Sequence, residues 1–295
     1  MQIPDWLDRQ EYPFSSQFLN VDGGRMHYVD EGQGRPIVMV HGTPTWSLLY
    51  RHLIKELAGT YRCIAPDHIG FGLSDKPADW SYRPADHARN LRTLIERLEL
   101  KDILLMVHDF GGPIGLSYAI EQPENVSGVV LCNTWMWSLQ DDPTIRRMGQ
   151  FVSGPIGKFL YMRLNFSPRV LIRSFWGDKS KLTRHIHQHY TRVFPRAPER
   201  QSTWVLAREL LGSSAWYAEL WQQRQQLREQ PMLFLWGMRD PAFKPDALAR
   251  WQEAFPHAEV VTFPDAGHFV PEEVGRALGP VVGQFCAQIP ILPQG

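Results

Sequence analysis

Leu104-Leu105-Met106-Val107-His108-Asp109-Phe110-Gly111-Gly112-Pro113-Ile114-Gly115 is the stretch whose reading decides the fold. An apolar run stops at a polar residue, two glycines follow, and a helix-type segment runs from Ile114 to Glu121. A strand, a sharp turn and a helix in that order form a nucleophile elbow, whose strained central residue stands exposed above a sheet. Ser is usual at the centre; here it is Asp109, flanked by Val107 and Gly111. Ser needs a base to remove its proton, whereas a free Asp carboxylate, with an ordinary pKa of about 3.9, is already an anion. It can attack carbon directly and form an ester with the chain. The substitution moves the chemistry from acyl transfer toward displacement at an alkyl carbon. Alone, Asp109 reads equally well as a helix N-cap, where Asp is favoured.

Two further stretches decide between these readings. In Val261-Thr262-Phe263-Pro264-Asp265-Ala266-Gly267-His268 a β-branched and aromatic run precedes a turn cluster, which puts His268 on the loop after a strand. In Met232-Leu233-Phe234-Leu235-Trp236-Gly237-Met238-Arg239-Asp240 another apolar strand ends in a glycine turn and a carboxylate. Chain order is nucleophile, acid, histidine: Asp109, Asp240, His268. That is the order of α/β-hydrolases and not of other folds with the same triad.

Working outward, Phe18 to Asp22 and Met26 to Asp30 read as a hairpin about Gly23-Gly24, and Pro36 to Val40 as an apolar strand ending at His41-Gly42-Thr43-Pro44. Trp46, Leu49, Leu53 and Leu57 recur at helical spacing. A strand at Arg62 to Ala65, a helix from about Ala85 to Leu98 and a strand at Val126 to Leu131 continue the alternation. Residues 138–215 then show helical patches broken by Pro143, Pro155, Pro168, Pro195 and Pro198, with no strand of comparable quality. Alternation resumes with Leu233 to Trp236, a helix near Ala247 to Phe255, a strand at Val260 to Phe263 and a final helix toward Cys286. The pattern predicts a mostly parallel, doubly wound sheet with helices on both faces. Residues 1–137 and 216–295 form its core, and 138–215 a helical cap inserted after the sixth strand, above the carboxyl ends where ligands bind.

The bulk numbers exclude several classes. The 295 residues are 43% hydrophobic and 21% charged, with zero formal net charge, which is the profile of a globular chain with a full core. No basic stripe favours nucleic acid. No apolar run approaches the roughly 18 residues of a membrane span, and Met1 to Asp8 lacks the features of a secretory signal. The expected location is cytoplasmic, with no membrane partner. Three cysteines, Cys63, Cys132 and Cys286, lack paired spacing and read as buried free thiols. Many of the eleven tryptophans fall between residues 135 and 221, which suggests an aromatic pocket wall or lid.

Hydrolysis of an Asp ester passes through an oxyanion that needs preorganised donors. The backbone N–H groups of Phe110 and of Thr43, on the loop after the third strand, are the expected pair; Pro44 has no N–H. His41 reads as a structural histidine, because His268 already fills the base role. His108 neighbours the nucleophile on a strand and so points to the other face, where it packs or supports. His185, His187 and His189 alternate at a spacing that does not share a helix face. Neither a metal site nor a cofactor is expected.

Taken together, these blocks resemble the haloalkane dehalogenases and their α/β-hydrolase relatives over essentially the whole chain. The resemblance rests on His41-Gly42-Thr43-Pro44-Thr45-Trp46-Ser47, Ala65-Pro66-Asp67-His68-Ile69-Gly70-Phe71-Gly72-Leu73-Ser74-Asp75-Lys76-Pro77, His108-Asp109-Phe110-Gly111-Gly112, Trp236-Gly237-Met238-Arg239-Asp240 and Gly267-His268. It implies that Asp109 displaces halide from a small apolar substrate, His268 activates water, and Asp240 orients the histidine. An acid after the seventh strand is one arrangement within the family; others put Glu after the sixth, where Cys132-Asn133-Thr134-Trp135 offers no carboxylate. Two positions depart from the pattern. The family's halide-binding Trp after the nucleophile is Phe110 here, and the Asn that many members place after His-Gly is Thr43. Halide must then be held by other donors, with Trp176, Trp135 and Trp137 as candidates, since indole only donates. The departures keep open an epoxide hydrolase using Tyr161, Tyr190 or Tyr217, and a non-catalytic ligand-binding homologue. The intact triad order argues against the latter.

Overall fold

The computed structural model describes residues 4–292. Eight strands form one sheet in the order β1-β2-β4-β3-β5-β6-β7-β8. They are β1 Gln17–Val21, β2 Gly24–Glu31, β3 Pro36–Val40, β4 Arg62–Pro66, β5 Ile103–Asp109, β6 Val126–Thr134, β7 Met232–Gly237 and β8 Glu259–Phe263. β1 and β2 form the expected antiparallel hairpin, and β2 also runs antiparallel to β4. All remaining pairings are parallel.

Sequence and position agree along the sheet. Every residue of β3, β5, β6 and β7 is buried, because helices cover both faces of a parallel sheet and leave no polar side. The edge strand β8 has no fully buried residue, with Glu259 and Thr262 exposed. Helices α1 Arg51–Leu57, α2 Pro84–Arg97 and α3 Gly111–Glu121 alternate with the early strands. Between β6 and β7 the described elements are all helical: α4 Pro143–Ser153, α5 Pro155–Leu164, α6 Ile172–Phe175, α7 Arg184–Arg192, α8 Gln201–Gly212 and α9 Ser214–Gln222, with short 3-10 and π turns. The chain closes with α10 Pro245–Ala254, α11 Val270–Glu273 and α12 Leu278–Gln288.

Two of the prolines that interrupt the insertion begin helices. Pro143 and Pro155 occupy the first turns of α4 and α5, where a missing N–H costs nothing. Asp142 caps α4 by accepting from the N–H groups of Thr144 and Ile145 at 2.7 and 3.0 Å, worth about 1 kcal/mol. α9 runs across residue 215, so the helical layer continues past the limit read from the sequence. The insertion is pinned over the strand ends: Ser202 Oγ donates to the Gly70 carbonyl at 2.7 Å, and the Phe175 carbonyl accepts from the His268 N–H at 2.9 Å. The three cysteines are buried and unpaired.

Candidate active site

Asp109 ends β5 with a φ of +52°, the left-handed conformation that a non-glycine residue adopts at a cost of about 1–3 kcal/mol. The surroundings hold it there. Thr134 Oγ1 donates to the Asp109 carbonyl at 2.5 Å. Gly111 passes so close to β3 that a Cβ on it would lie 2.0 Å from the Val40 carbonyl oxygen. The turn therefore needs glycine there, and its tightness lifts the carboxylate above the sheet.

The loop after β3 reaches that carboxylate directly. The Thr43 N–H donates to Asp109 Oδ1 at 2.7 Å. Gly42 makes the approach possible, since a Cβ at that position would stand 2.1 Å from the same oxygen.

His268 comes from the loop after β8. Its Nε2 lies 3.5 Å from Asp109 Oδ2, and its Nδ1–H donates to Asp240 Oδ2 at 2.8 Å. The geometry brings Asp109, His268 and Asp240 together from the ends of β5, β8 and β7, and all three are buried. Burial opposes a charge on the imidazole, but Asp240 and Asp109 outweigh it and push the His268 pKa up to about 10. Burial likewise works to raise the Asp240 pKa, yet His268 and the surrounding hydrogen bonds bring it below the usual carboxylate value.

One residue of this arrangement escapes a sequence reading. Asn133 Nδ2 donates to the same Asp240 oxygen at 2.8 Å, while its Oδ1 accepts from the Gly237 N–H at 2.8 Å. Asn133 lies at the sixth-strand exit, where the sequence offers no carboxylate. Its side chain is aimed by a bulge: His108 pairs with Cys132 and Asp109 with Thr134, which leaves Asn133 as the extra residue, with φ at +31°. A bulge re-aims a side chain in this way.

The other histidines support the site or lie outside it. His108 Nε2–H donates to the His268 carbonyl at 2.9 Å, and burial pushes its pKa down to about 3, so the ring is neutral. His41 Nε2 accepts from the His68 N–H at 3.0 Å and shapes the β3 loop. His185 pairs with Asp8, His187 donates to the Pro168 carbonyl, and His189 accepts from the Asp8 N–H.

The three candidate tryptophans differ. Trp135 sets its ring edge-on to Phe110 at 4.8 Å and stacks on Phe243 at 5.1 Å. Trp176 packs on Phe269, 5.8 Å away. Both indole N–H groups are buried without a hydrogen-bond partner, as is the Thr43 hydroxyl. An unpaired buried donor costs about 1–3 kcal/mol, and the indole of Trp46 shares that condition. Trp137 instead lies against Trp221, Trp251 and the Arg250 guanidinium and faces a cleft of about 480 Å³. Phe243 borders that cleft and packs on His268 at 5.7 Å. Among the three candidate tyrosines, Tyr190 donates to Glu272 at 2.6 Å and Tyr217 to the Glu209 carbonyl at 2.9 Å. Tyr161 packs in a small separate cluster with Val152 and Ala207.

Residues 35–273 match the family model for the alpha/beta hydrolase fold. The chain is 37% identical to haloalkane dehalogenase 2 of Mycobacterium tuberculosis over 288 residues, 97% of this chain and all of that protein. It is also 34% identical to a cis-3-alkyl-4-alkyloxetan-2-one decarboxylase of Shewanella oneidensis over 270 residues, 88% of this chain and 85% of the relative. The solved structure of haloalkane dehalogenase DbeA from Bradyrhizobium elkani superposes with a TM-score of 0.81 at 24% identity, covering 93% of this chain and 99% of that one. That likeness concerns the fold.

Proposed function

Since the chain belongs to the haloalkane dehalogenase family of α/β hydrolases, we propose that it hydrolyses carbon–halogen bonds of small apolar haloalkanes through an alkyl ester on Asp109. The observation that carries this reading is the Asp109 carboxylate itself, fixed by the Thr43 N–H at 2.7 Å with His268 on its other oxygen. A buried, positioned anion displaces a leaving group from carbon without prior deprotonation.

In the first half-reaction one Asp109 oxygen attacks carbon, the carbon–halogen bond breaks, and the halide leaves with the bonding electrons. The unpaired N–H groups of Trp135 and Trp176 and the Thr43 hydroxyl support a role as its donors, in place of the indole that Phe110 cannot supply. Ester formation removes the negative charge of Asp109, one of the two charges that raise the His268 pKa. The imidazole then gives up its proton more readily and becomes a base for water. Water attacks the ester carbonyl, its proton passes to His268, and the oxyanion is met by the N–H groups of Thr43 and Phe110. Collapse releases the alcohol and restores Asp109. Asp240 and Asn133 keep Nδ1 of His268 protonated, so that Nε2 is the atom that faces water. Residues 138–215 act as the cap that excludes bulk water.

The 34% identity to the Shewanella relative favours a second reading, a decarboxylase of oxetan-2-ones. The leaving group is then a carboxylate within the substrate. Asp109 opens the ring at the alkyl carbon, and loss of carbon dioxide expels Asp109 to give an alkene, with no halide and no water. Ion chromatography of chloride and bromide separates the two, with headspace carbon dioxide from an oxetanone as the counter-assay. Stoichiometric halide and alcohol from a haloalkane support the first reading; carbon dioxide and alkene with no halide release establish the second.

A further inference from the structure

The apolar side chains that remain exposed are concentrated in one place. Met148, Phe151, Ile156, Phe159, Leu164 and Val170 account for six of the seven large hydrophobic residues exposed among the described residues. All six lie on α4, α5 and the turn that follows. Ile156 and Phe159 are 64% and 55% exposed; with Arg163 they recur at the spacing of a single helix face. The opposite faces of these helices are used internally, Gly149 against Leu211 and Tyr161 against Phe166.

The same segment has an unusual charge pattern. Between Asp142 and Asp178 there are six cations, Arg146, Arg147, Lys158, Arg163, Arg169 and Arg173, and no carboxylate. All six are exposed, and none makes a salt bridge among the described residues. Elsewhere many surface arginines find partners, such as Arg62 with Asp30, Arg92 with Glu96 and Arg239 with Asp265, and cations without one, such as Arg97, are interspersed with carboxylates along the chain. A chain with zero formal net charge has therefore gathered unpaired positive charge around its exposed apolar side chains.

We infer that α4 and α5 dock the cap onto an anionic lipid bilayer. A bilayer surface meets both halves of the pattern. Apolar side chains enter the headgroup–acyl boundary while Lys and Arg reach lipid phosphates. A second copy of this chain meets only the apolar half, because a two-fold contact sets the same patch against itself and brings six unpaired cations against six. Docking of this kind needs no spanning helix, and no helix among the described residues is long and apolar enough to span. Lying on a bilayer is a mode separate from spanning it, and the lack of a spanning segment does not exclude it. The docked cap faces a phase in which apolar substrates concentrate.

The test is flotation of the full chain with vesicles of phosphatidylcholine alone or with about one-third phosphatidylglycerol, an anionic lipid. The chain should float with the anionic vesicles, stay behind with the neutral ones, and be released in about 1 M salt, where screening is nearly complete. Ile156→Ser with Phe159→Ser, and separately Arg146→Glu with Arg147→Glu, should each weaken vesicle partitioning at least tenfold. Turnover of a water-soluble substrate should be unchanged within about twofold, since none of these residues touches the site. Absence of flotation with anionic vesicles, or equal flotation with both kinds, overturns the inference. So does light scattering that shows a dimer which the serine pair converts to monomer, because the patch then belongs to a second copy.

Discussion

Asn133 Nδ2 donates to Asp240 Oδ2 at 2.8 Å, on the oxygen that also receives Nδ1 of His268. A neutral amide at the end of β6 thus serves the acid that follows β7. Asn133→Ala removes one donor from a buried anion. The expected loss is about 1.5–3 kcal/mol of stability, as for a hydrogen bond to a charged group. The Asp240 pKa should rise, so the acid limb of the kcat profile should move to higher pH. A drop in melting temperature with an unmoved profile would reduce Asn133 to a packing role.

The charge state of His268 links pH to stability. Its folded pKa is held up to about 10 against an ordinary value of 6.5. The contribution is therefore fully present below pH 6.5 and is lost as pH rises through 10. Asp240, whose pKa is lowered, adds stability that is lost only as pH falls through its folded value. The melting-temperature difference between the wild type and His268→Gln should be largest in mildly acidic solution and shrink steadily toward pH 10. A difference that is flat with pH contradicts the ion-paired imidazolium.

The halide donors are separable by substitution. Trp135→Phe and Trp176→Phe each remove an unpaired N–H and keep most of the ring. Each should lower kcat/KM on chlorinated substrates roughly ten- to a hundred-fold, corresponding to about 1.5–3 kcal/mol made mainly in the transition state. Thr43→Val should act in the same direction. Trp137→Phe, on the cleft side, should change the rate less than about threefold. Initial-rate assays of halide release decide the order; a Trp137 effect larger than the other two would move the halide site.

The legible and illegible parts of this molecule divide along a physical line. The triad could be read because Asp109, Asp240 and His268 each follow an apolar strand within a few residues, and strand ends in a parallel sheet converge. Gly42 and Gly111 mark close approaches for the same reason. Asn133 could not be read: an Asn at the end of a strand resembles an ordinary turn residue, and its aim depends on a bulge that exists only once β5 and β6 pair. The proline-rich insertion was recognisable as helical, yet its prolines at 143 and 155 mark helix starts as much as interruptions. Periodicity gives α5 an apolar face but does not say what covers it, so the exposure of Ile156 and Phe159 emerges only from packing. Likewise, three tryptophans equivalent in sequence separate only when their indole partners are known.

Asp109→Asn preserves shape and should leave the fold intact while lowering turnover at least a thousand-fold, because an amide is neither an anion nor a competent nucleophile. Retention of more than a trace of activity in freshly prepared protein would remove Asp109 from the mechanism. Slow recovery on standing, by deamidation, is the expected accompaniment.

The most direct test of the covalent account uses His268→Gln and intact-mass spectrometry. An ionised Asp109 needs no base for the first half-reaction, so the variant should alkylate once on incubation with a bromoalkane and then stall. The account predicts one added alkyl group per chain, mapped to the peptide that contains Asp109, with one equivalent of bromide released. A folded variant that gains no mass across a panel of haloalkanes turned over by the wild type would contradict it.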